Sequence, residues 1–102
     1  MAITTTVYAC IGNPDDRLTQ ARWHEYLRKF IALVRVQAAA VHDEWMSQPT
    51  SPRQSACVAF DIDHNDVLLL QHDLRSLAGE YGCEGILWAE AKPRLLPAAI
   101  HV

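Results

Sequence analysis

The stretch Ser55-Ala56-Cys57-Val58-Ala59-Phe60-Asp61-Ile62-Asp63 decides the fold of this chain. Ala56, Val58, Phe60 and Ile62 alternate with Cys57, Ala59 and Asp61, the period-two pattern of a strand with one face buried. A helix would scatter those apolar side chains around its axis. A sheet is therefore required, and its buried face needs a cover.

The flanking segments supply both. Ile3 to Ile11 (ITTTVYACI) is rich in β-branched residues and runs into Gly12-Asn13-Pro14, a turn signal. Its alternation puts Ile3, Val7, Ala9 and Ile11 on one face and Thr4, Thr6, Tyr8 and Cys10 on the other. From Leu18 to Ala39 the period changes. Trp23, Leu27, Phe30, Ile31, Val34 and Ala38 make a stripe at helical spacing, and Asp15, Asp16 or Thr19 is placed to cap its start. Arg22, Arg28, Lys29 and Arg35 fill the polar side; Glu25 interrupts them, as on a solvated helix face.

Ala40 to Ser47 reads as a further strand, followed by a proline-bearing hairpin loop from Gln48 to Gln54. After Asp63, Asn65 or Asp66 is placed to cap a second helix. Its stripe is Leu70, Leu74, Leu77, Ala78 and Tyr81, and Gly82 suits a left-handed stop. Gly85 to Ala91 is the last strand, and residues 92–102 form a tail containing Leu95, Leu96, Ile100 and Val102. The order βαββαβ is that of a ferredoxin-like plait, an antiparallel sheet with both helices on one face. At 102 residues the chain holds one such α+β domain.

Composition narrows the function classes. A formal charge of −3 argues against a dedicated nucleic-acid binder, which needs a basic surface. Met1 to Thr6 has no charged region followed by an apolar one, and no apolar run is long enough for a bilayer; a cytoplasmic protein without membrane attachment is expected. Cys10, Cys57 and Cys83 form no C-x-x-C pair, and an odd count leaves one unpaired in any disulfide scheme. Buried, reduced thiols are the plain reading.

The sheet face left free of helices should be polar. Here it carries Tyr8, Cys10, Cys57 and Ala59, with Trp45 or Met46 and Leu87 or Trp88 added according to register. Such an apolar face marks an interface, and two copies packed sheet to sheet would bury it symmetrically. A homodimer is expected on that ground, unless the tail folds back over the face.

The plait is expected to set strands one and three parallel as neighbours, which gathers a second cluster at one end of the sheet. The loop with Asn13, Asp15, Asp16 and Arg17 then opens beside Asp61, Asp63, His64 and Asp66, with His42, Asp43 and Glu44 nearby. Asp61, Asp63 and His64 are the candidate ligands for a divalent ion. No G-x-S-x-G, H-E-x-x-H, P-loop or G-x-G-x-x-G is present, and no cofactor is implied.

Three stretches resemble a known group of proteins. They are Ile11-Gly12-Asn13-Pro14-Asp15-Asp16-Arg17-Leu18-Thr19-Gln20, then His42-x-Glu44-Trp45 with Pro52-x-x-Ser55-Ala56-Cys57, and Ile86-Leu87-Trp88-Ala89-Glu90-Ala91. The group is that of small uncharacterised proteins of actinobacteria and their phages. The resemblance implies a phage- or mobile-element-linked accessory role and carries no catalytic signature.

The sequence thus points first to a non-enzymatic binding or regulatory module that dimerises through its open sheet face. It would engage a protein or small ligand through Asn13, Asp15, Asp16, Arg17, His42, Glu44, Trp45 and Trp88. One alternative is a dimeric α+β barrel enzyme of oxygenase or isomerase type, with His42, His64 or Tyr8 as acid–base groups. The other is a metal-dependent phosphodiesterase or nuclease using the acidic loop end.

Overall fold

Each period-two segment becomes a strand and each helical stripe a helix. A computed structural model of the chain describes residues 3–48, 51, 53–92 and 95–99. Pro49, Thr50 and Pro52 of the expected loop, and Pro93, Arg94 and residues 100–102 of the tail, lie outside the described residues. The elements are β1 (Thr4–Asn13), α1 (Gln20–Gln37), β2 (Ala40–Met46), β3 (Gln54–Asp63), α2 (Val67–Glu80) and β4 (Leu87–Ala91). Short 3-10 turns at Pro14–Asp16 and His64–Asp66 precede the two helices. The sheet order β2-β3-β1-β4 is that of the ferredoxin-like plait.

The helix side of the sheet is the core. Val7, Ala9 and Ile11 of β1 and Val58, Phe60 and Ile62 of β3 are buried. Over them lie Trp23, Tyr26, Leu27, Phe30 and Val34 of α1 and Leu70, Leu74 and Leu77 of α2. A fully buried side chain of this size contributes roughly 1.5–3 kcal/mol. Ile3 departs from expectation: it lies just outside β1, and its side chain is exposed.

The caps differ in part. Thr19 caps α1, its hydroxyl accepting from the Arg22 N–H at 3.2 Å. Asp66 stands at the N-cap position of α2 but makes no side-chain cap hydrogen bond there; Asp63 accepts from the Asn65 N–H at 2.8 Å and closes the preceding 3-10 turn. At the other end Gly82 takes φ +68°. The Cys83 N–H reaches back to Ala78 O at 2.9 Å and the Gly82 N–H to Gly79 O at 3.1 Å, the paired bonds of a Schellman stop.

The expected parallel pairing of strands one and three is corrected. β1 and β3 are antiparallel, with Thr4 opposite Asp63 and Asn13 opposite Gln54. A right-handed β1-α1-β2 crossover makes β1 parallel to β2, and the β2–β3 hairpin then reverses the chain. The Asn13–Arg17 loop and the Asp61–Asp66 segment therefore lie at opposite ends of the sheet, roughly 30 Å apart at strand rise.

Candidate functional site

A single irregularity in β2 determines what the open face presents. Val41 pairs with Phe60 but Asp43 pairs with Ala59, so His42 is an extra residue in the strand. Regular alternation would keep Trp45 on the same side as Val41, facing the helices. The bulge reverses the alternation beyond it, and Trp45 emerges opposite Cys57 on the helix-free face.

There Trp45 stacks on Tyr8, the ring centroids 6.5 Å apart and the planes 17° from parallel. Register places Trp45, Cys57, Cys10 and Leu87 in one row across all four strands. The next row is Asp43, Ala59, Tyr8 and Ala89. Tyr8, Trp45 and Leu87 are 41, 47 and 68% exposed, and Ala59 is the buried floor between them. Leu95 and Leu96 of the tail are 91 and 69% exposed, so this part of the tail covers nothing.

The same face turns polar at its other end. Thr6 Oγ1 donates to Asp61 Oδ1 at 2.6 Å, and His42 Nε2 lies 3.0 Å from Asp61 Oδ2. The Thr6 hydrogen bond first, and His42 second, hold the Asp61 carboxyl below its usual range. His42 therefore joins Asp61 as the sequence placed it, through the bulge.

Several other expected site residues are committed elsewhere. Trp88 pairs with Ala9 and faces the helices, meeting Phe60 edge to face at 6.0 Å; it is a core contact and not part of the open face. Met46 pairs with Ala56, which leaves Trp45 and Leu87 as the residues that register selects for that face. Glu44 is opposite Val58 and is gripped by Arg35 of α1, Nε to Oε1 at 2.8 Å and Nη2 to Oε2 at 2.9 Å. Asp63 is used in its turn and His64 is exposed. Among the described residues, no three His, Cys, Asp or Glu side chains come together as a metal group.

Asn13 is buried and fully bonded. It accepts from the Leu18 N–H at 2.8 Å and donates to Leu18 O at 3.1 Å and Gln54 Oε1 at 2.9 Å. Gln54 in turn exchanges bonds of 2.8 and 3.0 Å with Gln20. This amide network, which no sequence periodicity announces, closes the loop after β1. It holds Asp15 and Asp16 at φ +56° and +50°, a backbone region that non-glycine residues occupy at a cost. Asp15 and Arg17 then edge a cleft of about 470 Å³ against Tyr81–Gly85 and Leu87.

No family model matches the chain, and no curated protein matches it. Among solved structures, a candidate monooxygenase from Shewanella loihica PV-4 aligns over 96% of this chain and 99% of its own. Its identity is 14% and the TM-score 0.42. The C-terminal RRM domain of MEC-8 bound to AGCACA aligns over 94% and 100%, at 10% identity and a TM-score of 0.38. Neither likeness carries residues or chemistry to this chain.

Proposed function

We propose that this chain is a small binding or regulatory module that works as a homodimer, with the helix-free sheet face as its self-interface. The observation that supports the reading is the exposed row Trp45–Cys57–Cys10–Leu87 with the Tyr8–Trp45 stack beside it. Apolar and aromatic surface of this kind is stabilised by leaving water. A twofold axis along the strands, between β1 and β3, would set Trp45 of one copy against Leu87 of the other. Symmetry then lets one patch serve both partners.

In the same reading the cleft edged by Asp15 and Arg17 engages a protein or small ligand, with Asn13 positioning the loop. The cellular context is a cytoplasmic accessory protein of actinobacteria or their phages. The barrel-enzyme alternative would share the dimer. The metal-dependent alternative has less support, because Asp61, Asp63 and His64 are not gathered on one ion-sized space.

Native mass spectrometry at low micromolar concentration tests the interface. The wild-type chain is expected as a dimer and Trp45→Ser as a folded monomer. A monomeric wild-type chain, or a dimer untouched by Trp45→Ser, overturns the reading.

A further inference from the structure

Cys10 and Cys57 stand directly opposite each other on the two central strands, and the backbone bonding shows which kind of opposition this is. The His64 N–H donates to Ile3 O at 2.8 Å, so Ile3 and His64 form a hydrogen-bonded pair. Such pairs recur at every second residue, and the seven steps from Ile3 to Cys10 therefore end on a non-hydrogen-bonded pair. The other edge of β3 agrees. The Ser47 N–H donates to Ser55 O at 2.9 Å, so the backbone groups of Ser55, and by alternation those of Cys57, face β2.

Non-hydrogen-bonded partners are the closer kind, with Cα atoms about 4.5 Å apart and side chains on the same face. A disulfide accepts Cα separations of roughly 4.4–6.8 Å. Both thiols are free and half-buried, and so is Cys83.

We propose that Cys10 and Cys57 form a reversible intrachain disulfide across β1 and β3, made by exchange with a small-molecule disulfide such as oxidised glutathione. One protein thiolate attacks the glutathione disulfide, breaking its S–S bond, forming a mixed disulfide and releasing one glutathione thiolate. The second protein thiol loses its proton to solvent and attacks the mixed disulfide, releasing the second glutathione. The protein loses two electrons and two protons, and one oxidised glutathione becomes two reduced ones.

The inference does not depend on the dimer. Strand pairing in the folded chain holds the thiols together, whereas in the unfolded chain a long loop separates them. Folding therefore favours the bridge, and by linkage the bridge favours folding. In a cytoplasmic setting such a bond is transient and answers to the thiol–disulfide balance. Burial first, and the adjacent Cys57 second, push the Cys10 thiol up to about 12. Its thiolate is scarce at neutral pH, so the equilibrium and not the rate is the quantity to read.

The test equilibrates the protein in glutathione redox buffers, in native buffer and in denaturant, starting from both the reduced and the oxidised unfolded chain. Acid quenching, alkylation, intact mass and peptide mapping follow. In native buffer we expect loss of two hydrogens, one linked Cys10–Cys57 peptide pair and an alkylated Cys83. The equilibrium constant should exceed that in denaturant by about tenfold or more. Cys83→Ser should keep the bridge and Cys57→Ser should abolish it. Equal constants in the two conditions, a linkage through Cys83, or glutathione adducts in place of the internal bridge would each overturn the proposal.

Discussion

Asp61 accepts from Thr6 and faces His42, and both contacts favour its charged form. Its folded pKa is therefore below the unfolded one. The stabilisation this brings is complete above the unfolded carboxylate pKa, about 3.9, and is lost as pH falls through the folded value. Thr6→Val removes the larger cause while keeping the shape of the side chain. The Asp61 carboxyl should then titrate at a higher pH in an NMR titration of its side-chain carbons. Acid unfolding, followed by circular dichroism, should begin at higher pH than in the wild type. An unchanged Asp61 titration would mean that the hydroxyl contributes nothing to the charged state. His42 alone would then carry the shift.

At the scale of elements, α2 ends because Gly82 adopts φ +68° and lets Cys83 and Gly82 satisfy the last carbonyls. A Cβ at Gly82 would meet nothing within 4 Å, so the cost of substitution is backbone strain alone. Gly82→Ala should lower stability by about 1 kcal/mol, and Gly82→Asn by less, measured by urea unfolding. That stop was legible in the sequence, as were both helices and the two central strands, because each repeats one signal many times. The bulge at His42 was not. It is a single extra residue, and only the β3 partners reveal that the alternation reverses there. The side taken by Trp45, and hence the character of the open face, followed from that one residue. The parallel placement of β1 and β3 failed for a different reason: direction follows from the connections, and the helix crossover makes β1 parallel to β2 while the β2–β3 hairpin turns β3 against both. The Asn13–Gln54–Gln20 network joins amides far apart in sequence, and no local pattern marks it.

For the molecule as a whole, the two tryptophans at the ends of the sheet separate folding from assembly. Trp88 packs inward on Phe60, and Trp45 stacks outward on Tyr8. If folding and dimer formation are coupled, apparent stability rises with protein concentration. Each tenfold increase adds about 1.4 kcal/mol per dimer. Two chains of this length unfold with an entropy of about 0.4 kcal/mol/K, so Tm should rise by about 3 °C per tenfold increase. Trp88→Ala should cost about 2–3 kcal/mol, less than the roughly 3–5 kcal/mol of a fully buried tryptophan because Trp88 is only half-buried against Phe60. Its Tm should fall at every concentration, with the same slope retained. Trp45→Ser should do the reverse, removing the slope while lowering the monomer's own stability by about 1 kcal/mol through loss of the stack on Tyr8. Calorimetry across a hundredfold concentration range distinguishes the cases. A wild-type Tm independent of concentration, or a slope that survives Trp45→Ser, would show that the open face is not where two copies meet. Any self-contact would then have to lie elsewhere, the open face would be left to a different partner, and the cleft edged by Asp15 and Arg17 would be the next surface to probe.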